Sequence, residues 1–215
     1  MLLLHSMLSP AAYRVLATDG VLRGDAALVD PDYDDAYRWL IEQACHRVSG
    51  YGGGYPIWFW AQTNRRDLLC NVRQMARCTP GSVLVTCRIP RTRCLLSAYD
   101  DWHAVLNASP LVPWSAEADT EDEDAWAAWS ARLGDEYDKR DRALERAGVP
   151  GNGPFRAWPA DLRAEIGRTW EHVFDLDAYP IDEFWQATVE ELHACDVVEV
   201  ARPVVVPRKW RIGRR

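Results

Sequence analysis

An α+β fold, with a mixed or antiparallel sheet flanked by helices and a helical insertion at about 115–150, is the class this sequence predicts. Three observations point there. Aromatic and β-branched runs such as Pro56–Gln62 (PIWFWAQ) and Ser82–Pro90 (SVLVTCRIP) read as strands buried on at least one side. Helical patterns stand between the strands without the regular βαβ alternation of a parallel sheet. The chain then closes on two strand-like runs in succession, Glu183–Leu192 and Val197–Val206, joined by a tight His193–Asp196 turn. With 215 residues, 48% hydrophobic and 27% charged, it can bury a sizeable core and has a globular composition. No internal repeat interrupts it, so the expectation is a single domain over 1–215.

Each element has its own signal. Leu2–Ser6 reads as a short strand. Ser9 before Pro10 is an N-cap with proline at the first helical position, and Gly20 supplies the stop. Val21–Arg23 is a short extended piece. Asp30-Pro31 opens a second helix, whose Tyr37, Leu40, Ile41, Ala44, Cys45 and Val48 recur at helical spacing. The glycine-rich loop Gly50–Pro56 ends it. Beyond the PIWFWAQ strand, a short helix is expected over Leu68–Ala76, then the SVLVTCRIP strand, then an extended run at Arg93–Tyr99. Asp100 or Asp101 suits the N-cap of a helix through Leu106, where a carboxylate meets free amides and the positive end of the dipole. Thr120 with Glu123 forms a capping box for a long helix to about Arg146, striped by Trp126, Trp129, Leu133, Tyr137 and Leu144. After the Gly148–Pro154 linker, a helix over Pro159–Phe174 buries Leu162, Ile166, Trp170, Val173 and Phe174.

Composition limits the function classes. The opening MLLLHSML has no basic region and too short an apolar run for a targeting segment. No window approaches the roughly 18 apolar residues of a membrane span, so a cytoplasmic protein is expected. The 6 cysteines show no C-x-x-C pair, which argues for free thiols rather than zinc. The net charge of −7 is unevenly spread. Arg65–Arg93 carries seven arginines against one acid, Ser115–Asp124 carries six acids, and the RKWRIGRR end carries five basic residues. The basic strip either attracts a phosphate-bearing ligand or RNA, or is a solvated face paired with the acidic segment. The 11 tryptophans serve either core packing or ligand platforms.

Several polar groups stand out from this frame. In Tyr99–Asn107, one aspartate is explained as a cap, which leaves the second, Asp101, together with His103 and Asn107 as candidates for chemistry. On a strand at Phe184–Leu192, Gln186, Thr188 and Glu190 share one face, either a solvent edge or the wall of a cleft. His5, within an apolar strand, is either a satisfied core residue or a ligand donor. Arg23 either binds phosphate or carboxylate through its planar fork or pairs with Asp25. Gln62 ends the aromatic strand. The glycine-rich loop follows a helix, so it matches neither a Rossmann nor a P-loop phosphate site. G-x-S-x-G and H-E-x-x-H are both absent.

The blocks GVLRGD, AYRWLIEQ, YPIWFWAQ, VLVTCRIPRTRCLLSAYDDWHAVLN, RTWEHVFDLD and WQATVEEL together resemble the bacterial family DUF3841, from about Leu2 to Val200. Many members open with Leu-Trp-Thr where this chain has Leu4-His5-Ser6. That resemblance implies one intact domain and assigns no activity. The layout of an early His5-Ser6 strand, a helix ending at Gly20 and a late Gln186-x-Thr188-x-Glu190 strand is also similar to ADP-ribosyltransferases. That likeness implies an NAD-dependent transferase in which Glu190 is catalytic and His5 or Arg23 grips NAD. The expected site then has Glu190, His103 and Asp101 as catalytic residues and no metal. His5, Arg23, Gln62, Gln186 and Asn107 bind the cofactor. The N-terminal layout resembles the ASCH and PUA-like RNA-binding modules as well. In that alternative the domain does not catalyse; Arg65–Arg93 tracks phosphates while Trp58 or Trp60 stacks a base.

Overall fold

A computed structural model describes residues 1–113, 122–175, 177 and 184–203, with the side chain of Gln62 outside the description. The chain runs β1 (Leu2–Leu8), α1 (Pro10–Asp19), β2 (Val21–Arg23), α2 (Asp34–Arg47), β3 (Ile57–Gln62), α3 (Arg65–Cys78) and β4 (Val83–Ile89). It continues with β5 (Leu95–Ala98), α4 (Tyr99–Leu106), α5 (Glu123–Ala147), α6 (Ala160–Trp170), β6 (Trp185–Val189), β7 (Glu191–His193) and β8 (Val197–Ala201). Six strands form one sheet in the order β5-β6-β3-β1-β4-β8, and every pairing is antiparallel. A small sheet joins β2 to β7. The architecture is α+β.

Local chemistry accounts for most element ends. Ser9 accepts from the Ala12 N–H, Pro10 sits in the first turn, and Gly20 caps α1 at φ 77°. Asn64 caps α3, which starts earlier than Leu68 because this cap and Asp67 hold its first turn. Asp30-Pro31 opens a single 3-10 turn that leads into α2. Asp122 caps α5 by accepting from Asp124 and Ala125, while Thr120, the expected cap, lies outside the described residues. Most of the acidic segment and the basic RKWRIGRR end lie outside them too.

Two expectations are corrected. α4 begins at Tyr99 after Ala98, so Asp100 and Asp101 occupy its first turn rather than its N-cap. Both still favour the positive end of the dipole. The run expected as one strand over Glu183–Leu192 breaks at Glu190, and its two parts, β6 and β7, join different sheets.

The large sheet divides the interior into two cores. One face packs Leu4, Val85, Cys87, Phe59, Ala187 and Val189 under Leu16 of α1. On the other side, Leu95 of β5 meets Ala36, Leu40 and Ala44 of α2, Trp102 and Val105 of α4, and Leu162, Ile166 and Trp170 of α6. Trp39 crosses Trp170 edge-on at 5.4 Å and stacks on Phe174 at 5.5 Å. The Trp170 indole N–H donates to the Ser109 carbonyl at 2.7 Å, which fixes the chain leaving α4. α5 contributes one fully buried residue, Leu144; of the rest of its apolar stripe, Trp129, Leu133 and Tyr137 are half-buried and Trp126 is exposed. Among the described residues no helix is long and apolar enough to cross a membrane.

Candidate functional site

β6 lies inside the sheet between β5 and β3, and all five of its residues are buried. Its polar residues therefore need neighbours to satisfy them. In an antiparallel pair, directly opposed residues share a face. Followed from strand to strand, one row of partners crosses the whole sheet: Ser97, Gln186, Trp60, His5, Thr86 and Glu199. The adjacent row holds Leu95, Thr188 and Trp58. The row is closed at the β5 end, where Ser97 and Gln186 are 1% and 6% exposed, and open at Glu199.

These two rows collect unmet polar groups. Trp58 Nε1, Ser97 Oγ, Gln186 Nε2 and Thr188 Oγ1 have no hydrogen-bond partner among the described residues. Such a group costs about 1–3 kcal/mol when buried. Most buried polar atoms in folded proteins are paired, so four on one patch stand out. The Trp58 indole N–H lies beside the Tyr37 hydroxyl without reaching hydrogen-bond geometry. Burial raises the pKa of that hydroxyl, and the neighbouring indole N–H opposes the rise.

A cavity of 860 Å³ opens beside this patch. Met7, Trp58, Trp60 and Gln186 form its floor on the sheet. Asn71, Gln74, Met75 and Cys78 of α3 line one wall, and Tyr99, Trp102 and His103 of α4 another, with Tyr37 of α2. Among the described residues no lysine, arginine, aspartate or glutamate lines it. The rings brace one another: Tyr37 meets Trp58 and Trp102 edge-on at 6.1 Å and 5.9 Å, and Trp58 lies 5.2 Å from Trp102. Packed rings hold a rigid wall at little further entropic cost.

His103 also lines this space. Its Nδ1 lies 3.1 Å from the Tyr99 carbonyl and 3.3 Å from that of Asp100. Carbonyls only accept, so we assign the proton to Nδ1, which leaves Nε2 an acceptor.

The structure brings together some of the residues singled out in the sequence and separates others. Gln186 and His103 line the same cavity. His5 stands on the same row as Gln186, with Trp60 between them, and its Nδ1 is 3.0 Å from Thr86 Oγ1. Burial lowers the His5 pKa, against a smaller opposing effect of Glu199. Asn107 is turned back on its helix, donating to the His103 carbonyl at 2.7 Å. Asp101 lies in the first turn of α4 and is not among the lining residues. Gln62 follows an irregularity in the β3–β6 register, and its side chain lies outside the description.

Glu190 and Arg23 belong to a separate region around the small sheet. The Glu190 carboxylate accepts from the Gly52 and Gly54 N–H groups at 2.6 Å and 2.7 Å. A Cβ on Gly54 would lie 2.8 Å from that carboxylate, so a side chain there would displace it from this position. Arg23 pairs with Glu191 at 2.6 Å rather than with Asp25, which caps the turn at Ala27.

The basic strip also divides. Arg93 binds Asp196 at 3.0 Å, and Arg91 donates to the Cys94 carbonyl at 2.7 Å. At about 3.6 residues per turn, Arg66, Arg73 and Arg77 fall on the side of α3 away from Asn71 and Cys78. Arg88 alone of the strip stands on the face that carries His5, through the pairs Leu3–Arg88 and His5–Thr86.

Sequence reasoning passed over Tyr37, Ser97 and Trp102 because each reads locally as helix or strand core. Only the strand register shows that Ser97 and Gln186 are neighbours. Among the described residues no group of His, Cys, Asp and Glu is arranged to hold a metal ion. All six thiols are free.

No curated protein and no solved structure matches this chain. A family model described as "Domain of unknown function (DUF3841)" matches residues 3–198, which is most of its length. The cavity, both cores and the row from Ser97 to Thr86 thus lie within the matched span, and the chain belongs to the DUF3841 family.

Proposed function

We propose that this domain is a nucleotide- or RNA-binding module that takes an unpaired base into the cavity on the sheet and catalyses no reaction. One observation carries the proposal. Gln186 is 6% exposed, its amide nitrogen has no partner among the described residues, and it lies at the floor of an aromatic cavity without ionic lining. A charged group entering that space would lose its hydration with no counter-charge to replace it. A nucleobase is planar and uncharged, stacks on indole and phenol rings, and carries edge acceptors suited to an amide donor. His103 Nε2 offers the complementary acceptor on the wall. A phosphate would remain outside, in solvent.

The transferase reading has less support from the same geometry. It needs a carboxylate at the reacting ribose of NAD, whereas Glu190 is bound to the Gly52–Gly54 loop and does not line the cavity.

The test is a thermal-shift and titration series with nucleosides, nucleotides, NAD and short single-stranded RNA. A ligand that binds only the folded state raises the melting temperature. Gln186→Leu should fold at least as stably as the parent, since it removes an unmet buried donor, and should bind about tenfold more weakly or worse. Equal affinity in the variant, or no shift with any nucleoside, nucleotide or RNA, overturns the proposal. A shift with NAD alone, with turnover that depends on Glu190, would establish the transferase instead.

A further inference from the structure

We infer that the site continues past the cavity onto the open half of the same sheet face, where Trp60 and His5 form a platform for a second base and Arg88 takes the intervening phosphate. This rests on the base-binding reading above and extends it, making a single-stranded dinucleotide the smallest complete ligand.

The register supplies the geometry. Gln186 pairs with Trp60, and Trp60 pairs with His5, so the three stand side by side on adjacent strands. Neighbouring strands are about 4.8 Å apart, which puts His5 roughly 10 Å from Gln186. A base held by Gln186 does not cover His5. Trp60 lines the cavity, is half-buried, and adjoins the half-buried His5 ring, so its indole can be shared between two bases.

His5 is built to stay flat and uncharged. Its Nδ1 is tied at 3.0 Å to the hydroxyl of Thr86, which is 8% exposed. Burial lowers its pKa, so the ring is neutral at neutral pH and behaves as an aromatic surface. A sequence-tolerant stacking platform uses such faces.

The charges beside the platform set the path of the backbone. Arg88 lies one pair along from Thr86 on the same face, diagonal to His5, at a separation of about 7–8 Å typical of such neighbours. It is exposed and makes no ion pair among the described residues. Glu199, opposite Thr86, places a carboxylate on the far side of the row. A phosphate is drawn toward Arg88 and repelled from Glu199, so the strand leaves the cavity over His5 on the Arg88 side.

The experiment compares ribonucleoside 5′-monophosphates with the corresponding ribodinucleotides by titration at several salt concentrations. The dinucleotide should bind about tenfold tighter, the gain expected of one further stacked base. His5→Ala should remove that gain and leave mononucleotide affinity unchanged. His5→Phe, which keeps a ring without the Thr86 bond, should retain it. Arg88→Gln should flatten the log–log salt dependence of dinucleotide binding by about 0.7, the slope of one single-strand phosphate contact. If mononucleotides bind and dinucleotides bind no tighter, the platform is wrong and the cavity reading stands. A gain that survives His5→Ala, or a salt dependence indifferent to Arg88→Gln, overturns the platform as well. Failure of both ligand classes overturns the platform and the cavity reading together.

Discussion

Glu190 and Glu191 are adjacent carboxylates with unrelated partners, and their substitution separates two kinds of electrostatics. Glu190 accepts two backbone N–H bonds from a loop whose Gly54 carbonyl also accepts from the Tyr51 hydroxyl at 2.9 Å. Glu190→Gln keeps one acceptor and turns an amide N–H toward the other donor, so stability should fall by about 1–2 kcal/mol in urea unfolding. Glu191 pairs with Arg23, whose side chain is 64% exposed, so Glu191→Gln should cost less than about 1 kcal/mol. Equal losses would mean that the loop is held by something other than the carboxylate. This pair also shows the limit of residue-level reading. Alternation correctly puts Gln186 and Thr188 on one face. It also carries Glu190 along, because nothing local signals that the strand stops there to reach a loop 138 residues earlier.

Helix ends were legible where a side chain caps its own backbone, as Ser9 and Gly20 do for α1. They were misread where a helix starts without a side-chain cap, as α4 does after Ala98. Amphipathicity marks the less exposed side of α5 and overstates its depth. Trp129, Leu133 and Tyr137 of its stripe are half-buried, and full burial is confined to Leu144 in the last turn. Two substitutions test how that helix is attached. Leu144→Ala deletes a side chain that is 2% exposed and should cost about 2–4 kcal/mol. Gly134→Ala adds a methyl with nothing within 4 Å and should gain about 0.5–1 kcal/mol, because alanine loses less entropy in a helix interior. Thermal denaturation of the two variants should move in opposite directions. If Leu144→Ala is nearly silent, α5 is held by contacts other than its one buried residue.

At the scale of the whole molecule, the α+β class was readable because it follows from the kinds and order of elements. The strand order was not, since the pairing of β6 with both β5 and β3 is decided by long-range packing. The two cores that result are chemically distinct. Among the described residues the buried tryptophans, Trp102, Trp158, Trp170 and Trp185, all lie in the helical core, and the other core holds the thiols of Cys87 and Cys94. Burial pushes those thiols up to about 12 and about 11, so they are poor nucleophiles while folded. Tryptophan fluorescence therefore reports one side of the sheet, and thiol labelling of Cys87 and Cys94 reports the other. Both cores pack against the same sheet, so the two signals should change at the same urea concentration, as all-or-none unfolding requires. Exposure of the thiols at lower urea than the fluorescence transition would show that the α1 side opens independently.

The position of β6 has a consequence for how the protein is made. β3, β1 and β4 can pair as soon as residue 89 has emerged from the ribosome, and β5 follows soon after. Between β3 and β5 there remains a gap one strand wide until residue 189 is synthesised. For that interval the nascent chain carries unpaired strand edges on Ile57–Gln62 and Leu95–Ala98, both rich in apolar residues and open to pairing with other chains. Gln186 arrives with the strand that closes the gap. The floor of the cavity and protection from aggregation are thus acquired in one late step of synthesis.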